Sequence, residues 1–152
     1  MKKWIVLFVL LCSATLLQAQ QFKVKVTGIT DGDTFTAINR DKLQIRFRMN
    51  AIDAPERKQA FSSVSTQALK DMIHGKTVTV TVHSRDPWGR YVVTVRAGRI
   101  KDVSAEMLRL GLAWHYKKYD KTPHYAELEE QAREQRLGLW QDPNPVAPWD
   151  FR

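Results

Sequence analysis

Hydrophobic positions fall two residues apart in several short stretches of the chain, and the places where that period changes mark its elements. Phe22, Val24 and Val26 alternate with Lys23 and Lys25, as in a strand with one buried face. Asp31-Gly32 is a turn pair, and Thr34 to Ile38 returns as a second strand. After polar Asn39–Lys42, the residues Leu43, Ile45, Phe47 and Met49 alternate strictly with Gln44, Arg46 and Arg48. The period then lengthens. Val64, Ala68, Leu69, Met72 and Ile73 fit one face of a helix over 62–74, with Ser62 or Ser63 as cap and Gly75 as stop. Val78, Val80 and Val82 restore the strand period, Asp86-Pro87-Trp88-Gly89 turns the chain, and Tyr91 to Val95 runs back. Asp102 to Leu110 reads as a helix closed by Gly111. Pro123 to Leu137 reads as a third, capped by Thr122 and closed by Gly138.

Strands interrupted once by a helix and followed by helices suit a mainly β, α+β domain. The expected architecture is a five-stranded OB-fold Greek-key barrel with three α-helices, in preference to a doubly wound sheet. Ahead of it, residues 1–19 have the pattern of a secretory signal peptide. Lys2 and Lys3 precede an apolar run from Trp4 to Leu11, and Leu17-Gln18-Ala19 ends on a small residue. The run is short for a membrane span, which needs roughly 20 apolar residues. Residues 20–141 form the domain. Residues 142–152 form a tail with three prolines and Trp149, expected to lie extended on the barrel with its indole buried, the alternative being a disordered tail.

The single cysteine, Cys12, falls inside the leader, so disulfides and thiol chemistry are excluded from the exported chain. The formal charge is +8 over 152 residues, and the chain stays basic after loss of Lys2 and Lys3, which favours a polyanionic partner. His74, His83, His115 and His124 have no metal-ligand spacing, and glycine-rich phosphate loops and a G-x-S-x-G elbow are absent.

Two short segments and a turn carry the candidate chemistry. Asp33 lies in ITDGDT. Arg48, Asp53 and Glu56 lie in RMNAIDAPE, and Arg90 closes DPWGR. Taken singly, each has an ordinary reading: a hairpin turn, a strand exit, a solvated arginine, a hairpin-end charge. Together they are the parts of a metal-assisted attack on a phosphate. Carboxylates hold a hard cation and deprotonate water, and guanidiniums neutralise the charge a phosphoryl group gains in its transition state. Trp114, Tyr116 and Tyr119 interleave with His115, Lys117 and Lys118, which suits base stacking beside phosphate contacts. A core aromatic cluster fits the same composition equally well.

In order, DGDT, the arginine five residues before Asp53, the W-G-R turn, DVSAEMLRLGLA and LGLW resemble the staphylococcal nuclease (thermonuclease) family from about Val24 to Trp140. The closing DPNPVAPW resembles exported bacterial members. That resemblance implies a calcium-dependent nuclease cutting DNA and RNA with little sequence preference, exported to the periplasm or the medium. With the leader removed, no stable membrane association is expected, and the chain is expected to be a monomer. Asp33, Asp53 and the Ala54 backbone carbonyl would bind Ca2+, Arg48 and Arg90 would contact the scissile phosphate, and Glu56 would be the base. Trp88, Tyr116, Lys117 and Tyr119 would meet the nucleic acid. Ala54 stands where threonine is frequent, Pro87-Trp88 replace a lysine-tyrosine pair, and the segment after Glu56 is short. The alternative is a non-catalytic OB-fold nucleic-acid-binding module, which the presence of all five chemical residues disfavours. A basic envelope-interaction protein would leave the carboxylates unexplained.

Overall fold

The computed structural model describes residues 20–152. Residues 1–19, expected from the sequence to be a signal peptide, fall outside the described residues. Strands β1 (Gln21–Asp31), β2 (Thr34–Ile38), β3 (Gln44–Met49), β5 (Thr77–Arg85) and β6 (Tyr91–Arg96) close into a barrel in the order β1-β2-β3-β6-β5. Only β3 and β6 pair in parallel; the other barrel pairs are antiparallel. Helix α1 (Ser62–Ile73) follows β3, and α2 (Val103–Arg109) and α3 (Pro123–Glu134) follow the barrel. The expected barrel with three helices is therefore the fold. Two-residue strands β4 (Ile52–Asp53) and β7 (Trp114–His115), a 3-10 turn at Gly138–Gln141 and the single turn α4 (Pro148–Phe151) add to it.

The alternation in β3 sends Phe47 and Met49 into the barrel, where both are essentially inaccessible. Phe47 stacks on Phe35 of β2, with ring centroids 5.0 Å apart. Val24, Val26, Val80, Val93 and Val95 fill the space around them, and Leu69, Ile73, Met107 and Leu108 seal it from the helices. Phe47→Ala should cost about 3–5 kcal/mol, the usual range for emptying a core aromatic site. Urea unfolding of both proteins checks this, and a shift below about 1 kcal/mol would place the ring outside the core.

Some local expectations need correction. Leu43 precedes β3 and is exposed, because the preceding turn lifts it off the barrel. Helix α1 buries Ser65, Leu69 and Ile73, whereas Val64 is exposed. Its N-cap is Phe61, in the left-handed region at φ 64°, without the serine cap the sequence suggested. Thr122 does stand at the N-cap of α3, yet its side chain makes no capping bond and instead donates to Asp120. That helix stops at Glu134, since Arg136 turns left-handed at φ 52°.

A second, smaller core joins the C-terminal segments. Trp114, Ala132, Leu139, Trp140 and Ala147 pack together, with the Arg133 guanidinium 3.8 Å from the Trp140 ring centre. Gly111 and Gly138 face each other here with positive φ, and a Cβ on either would come within 2.3 Å of the opposing backbone. The tail packs on this core but is not extended throughout. It ends in α4, where Ala147 and Pro148 are buried and Trp149 stays 37% exposed.

Candidate active site

Asp33 sits where β1, irregular near its end, turns into β2. Gly32 lets that turn press against α1, since a Cβ there would lie 1.9 Å from Ser65 Oγ. The Asp33 carboxylate accepts from Thr34 Oγ1 at 3.0 Å and from the Ala54 backbone N–H at 2.6 Å. The Asp33 carbonyl in turn accepts from the Met49 N–H at 2.7 Å. The first turn is thereby bound to the end of β3 and to the segment carrying Asp53.

Asp53 is fixed by β4, which pairs with β7 through Ile52↔His115 and Asp53↔Trp114. Arg48 bridges the two aspartates. Its Nη2 lies 3.0 Å from Asp53 Oδ1 and 3.3 Å from Asp33 Oδ2, and its Nη1 donates to the carbonyls of Met49 and Ile52. Four oxygen partners hold this guanidinium, so the reading of Arg48 as a solvated surface charge does not survive. Glu56 follows Pro55, and its backbone N–H donates to the Gln59 side chain at 2.9 Å.

Arg90 comes from the opposite wall. Its Nε donates to Asp86 Oδ2 at 2.6 Å, while Asp86 Oδ1 accepts the backbone N–H groups of Trp88 and Arg90. Burial alone would raise the Asp86 carboxyl. The hydrogen bonds and charge of Arg90 outweigh it and hold the group below the usual carboxylate range. Asp33, Asp53, Glu56, Arg48 and Arg90 all line one cavity of about 870 Å³. Burial, followed by the charge of Asp33, pushes the Asp53 carboxyl up to about 6 against the opposing effect of Arg48 and Arg152.

Of the aromatic and basic residues assigned to nucleic acid, Trp88, Tyr116 and Tyr119 line this cavity. Lys117 does not. It faces a neighbouring groove of about 400 Å³, and its ammonium lies 2.9 Å from Glu129 Oε2. Tyr116 stands between the cavity and the groove and lines both. Trp114 likewise belongs to the second core.

Three further residues join the cavity. Asp31 lines it, and burial followed by the Asp33 charge pushes its carboxyl up to about 7. Its place two residues before Asp33 was the available signal, absorbed by the turn reading. Asp86 holds Arg90, and its four-residue spacing to that arginine is visible in the sequence. Arg152 reaches the cavity from the tail and contacts Asp53 and Glu56, a contact spanning 99 positions that no local pattern announces.

A small antiparallel-rich barrel with carboxylates and guanidiniums gathered at one cavity defines a phosphodiesterase acting on nucleic acid. Comparison with known proteins gives the same class. The family model described as "Staphylococcal nuclease homologue" matches residues 46–142. An Escherichia coli O157:H7 protein named "Uncharacterized endonuclease" is 40% identical over 152 residues, covering 100% of this chain and 98% of the relative. A Haemophilus influenzae protein of the same name is 35% identical over 128 residues, 84% of this chain and 71% of the relative. A "Probable staphylococcal-like nuclease" of Oryza sativa subsp. japonica is 43% identical over 107 residues, 70% of this chain and 29% of the relative. The chain belongs to the staphylococcal nuclease family and is a nuclease.

Proposed function

We propose that this nuclease is exported, depends on calcium, and hydrolyses DNA and RNA with little sequence preference. The observation that carries the proposal is the convergence of Asp33, Asp53, Glu56, Arg48 and Arg90 on one cavity. Among the described residues no three His, Cys, Asp or Glu side chains are gathered closely enough to enclose a metal ion. The donor chemistry nevertheless fits a hard cation. Asp33 and Asp53 offer buried carboxylate oxygens, the donor type a hard cation takes, and a divalent charge would relieve their mutual repulsion. Asp33, Asp53 and the Ala54 carbonyl would hold it.

When bound, calcium would supply positive charge beside the phosphate and reduce its repulsion of a nucleophile. The chain's own residues do the rest. Glu56, at the open side of the cavity, takes the proton of the attacking water, a role worth roughly 10²–10⁴ in rate. Arg90 turns its terminal nitrogens to the phosphate oxygens, and Arg48, whose terminal nitrogens are held by four oxygens, adds its charge and its Nε–H; both interactions strengthen as negative charge accumulates. Trp88 and Tyr119 offer exposed rings to any base, which supports tolerance of sequence, while Tyr116 beside them is stacked on Trp149.

Export is supported by the pattern of residues 1–19 and by the chemistry of the site. Calcium sites of about 10⁻⁴–10⁻³ M still fill outside the cytoplasm. The test is degradation of single-stranded DNA by the chain from residue 20 onward, in millimolar calcium and again with a chelator. Cutting that stops with the chelator and returns with calcium is expected. Cutting that persists without divalent ions would overturn the metal requirement, and binding without cutting would make the domain a binding module.

A further inference from the structure

We propose that Arg152 is a resident counter-cation of the carboxylate site, competing with the divalent ion for Asp53 and Glu56. The inference rests on the reading of these carboxylates as a cation site. Arg152 Nη2 lies 2.5 Å from Asp53 Oδ2, and its Nη1 lies 2.7 Å from Glu56 Oε1. One guanidinium thus spans the metal carboxylate and the base.

The tail is built to deliver that side chain. Gln59, which also anchors the Glu56 backbone, donates from its side chain to the Val146 carbonyl at 2.6 Å. Ala147 and Pro148 are buried, and the Asp150, Phe151 and Arg152 N–H groups close the α4 turn onto Ala147 and Pro148. Trp149 stacks on Tyr116 at 5.2 Å with an interplanar angle of 6°, and meets the Trp114 ring edge-on at 5.6 Å. Arg152 is therefore carried on an anchored turn.

Two guanidiniums share Asp53, and only one of them is displaceable. Arg48 takes Oδ1, is locked by the Met49 and Ile52 carbonyls, and has a side chain only 13% exposed. Arg152 takes Oδ2 and has a side chain 46% exposed, with no contact to a barrel carbonyl among its hydrogen bonds. Asp53 is buried, but Arg152 is the half-exposed member of the pair, so its guanidinium can return to water when a divalent ion takes its place. A cation that reaches Asp53 Oδ2 displaces Arg152, and the same displacement releases Glu56 Oε1 to act on water. Loading of the metal and unmasking of the base become one event. By linkage, Arg152 lowers calcium affinity by the factor by which calcium weakens the Arg152 contact.

The test is calorimetric titration of the chain from residue 20 onward with calcium chloride, comparing wild type, Arg152→Gln and Trp149→Ala. Arg152→Gln should bind calcium about tenfold more tightly, within the usual span of coupling between two ligands of one site. Trp149→Ala loosens the turn and should shift affinity in the same direction by less. Thermal melting gives a second readout: Arg152→Gln should gain more in Tm from saturating calcium than wild type does. Equal or weaker calcium binding by Arg152→Gln would overturn the competition while leaving the cation site intact. No binding by wild type or variant would remove the cation site, and the inference with it.

Discussion

Glu56→Gln lowers turnover on single-stranded DNA at least about a hundredfold and leaves DNA binding nearly unchanged, the expected result of deleting a general base. The substitution keeps the size of the side chain and removes only its ability to take a proton. The backbone of Glu56 is held by Gln59, and that contact does not involve the carboxylate, so the loop keeps its position. Its side chain is 34% exposed, so loss of the ion pair with Arg152 costs little stability. That loss also weakens the hold of Arg152 on the site, which would raise access to the cavity. A fall in rate therefore cannot come from a tighter tail. Single-turnover cutting measured beside DNA binding separates the cases. Turnover within a few-fold of wild type would remove Glu56 from proton transfer and leave it as a ligand of water or metal.

Sequence reading reached the barrel because its strands are buried on one face. Phe47 and Met49 had to point inward and Arg48 outward, toward Asp53 five residues later. It reached the acidic and arginine residues through their order in the chain. The contacts that make them a site were less legible. Strands β4 and β7 have two residues each, too few for any period, yet they fix Asp53 beside Trp114. Two of the four oxygens around Arg48 are backbone carbonyls, which every residue carries, so no side-chain pattern marks that half of its cage. The interleaving of aromatic and basic residues put Lys117 among the nucleic-acid contacts. Its ammonium meets the buried Glu129 on α3, a contact that sequence alone does not announce. Trp149 was expected to be buried because an exposed indole is costly. It is partly shielded instead, stacked on Tyr116 and edge-on to the buried Trp114, which leaves it 37% exposed.

Arg90→Lys should cost about 10²–10³ in kcat, the loss that follows removal of one donor aimed at developing charge. Lysine preserves the charge but not the planar fork, so it distinguishes electrostatic steering from geometry. The wild-type guanidinium spends its Nε on Asp86, which turns the two terminal nitrogens toward the cavity, with Nη1 already 3.5 Å from Thr34 Oγ1. The turn itself is held independently, because Asp86 Oδ1 accepts the Trp88 and Arg90 backbone N–H groups whatever side chain follows. Folding is therefore preserved and the change is confined to the fork. A ground-state phosphodiester carries one negative charge and is satisfied by an ammonium, so KM should move by only a few-fold. The transition state spreads further charge over oxygens that only a fork spans, so kcat should carry the loss. If KM rises instead and kcat holds, Arg90 binds the phosphate without favouring its transition state, and the catalytic guanidinium is Arg48 alone.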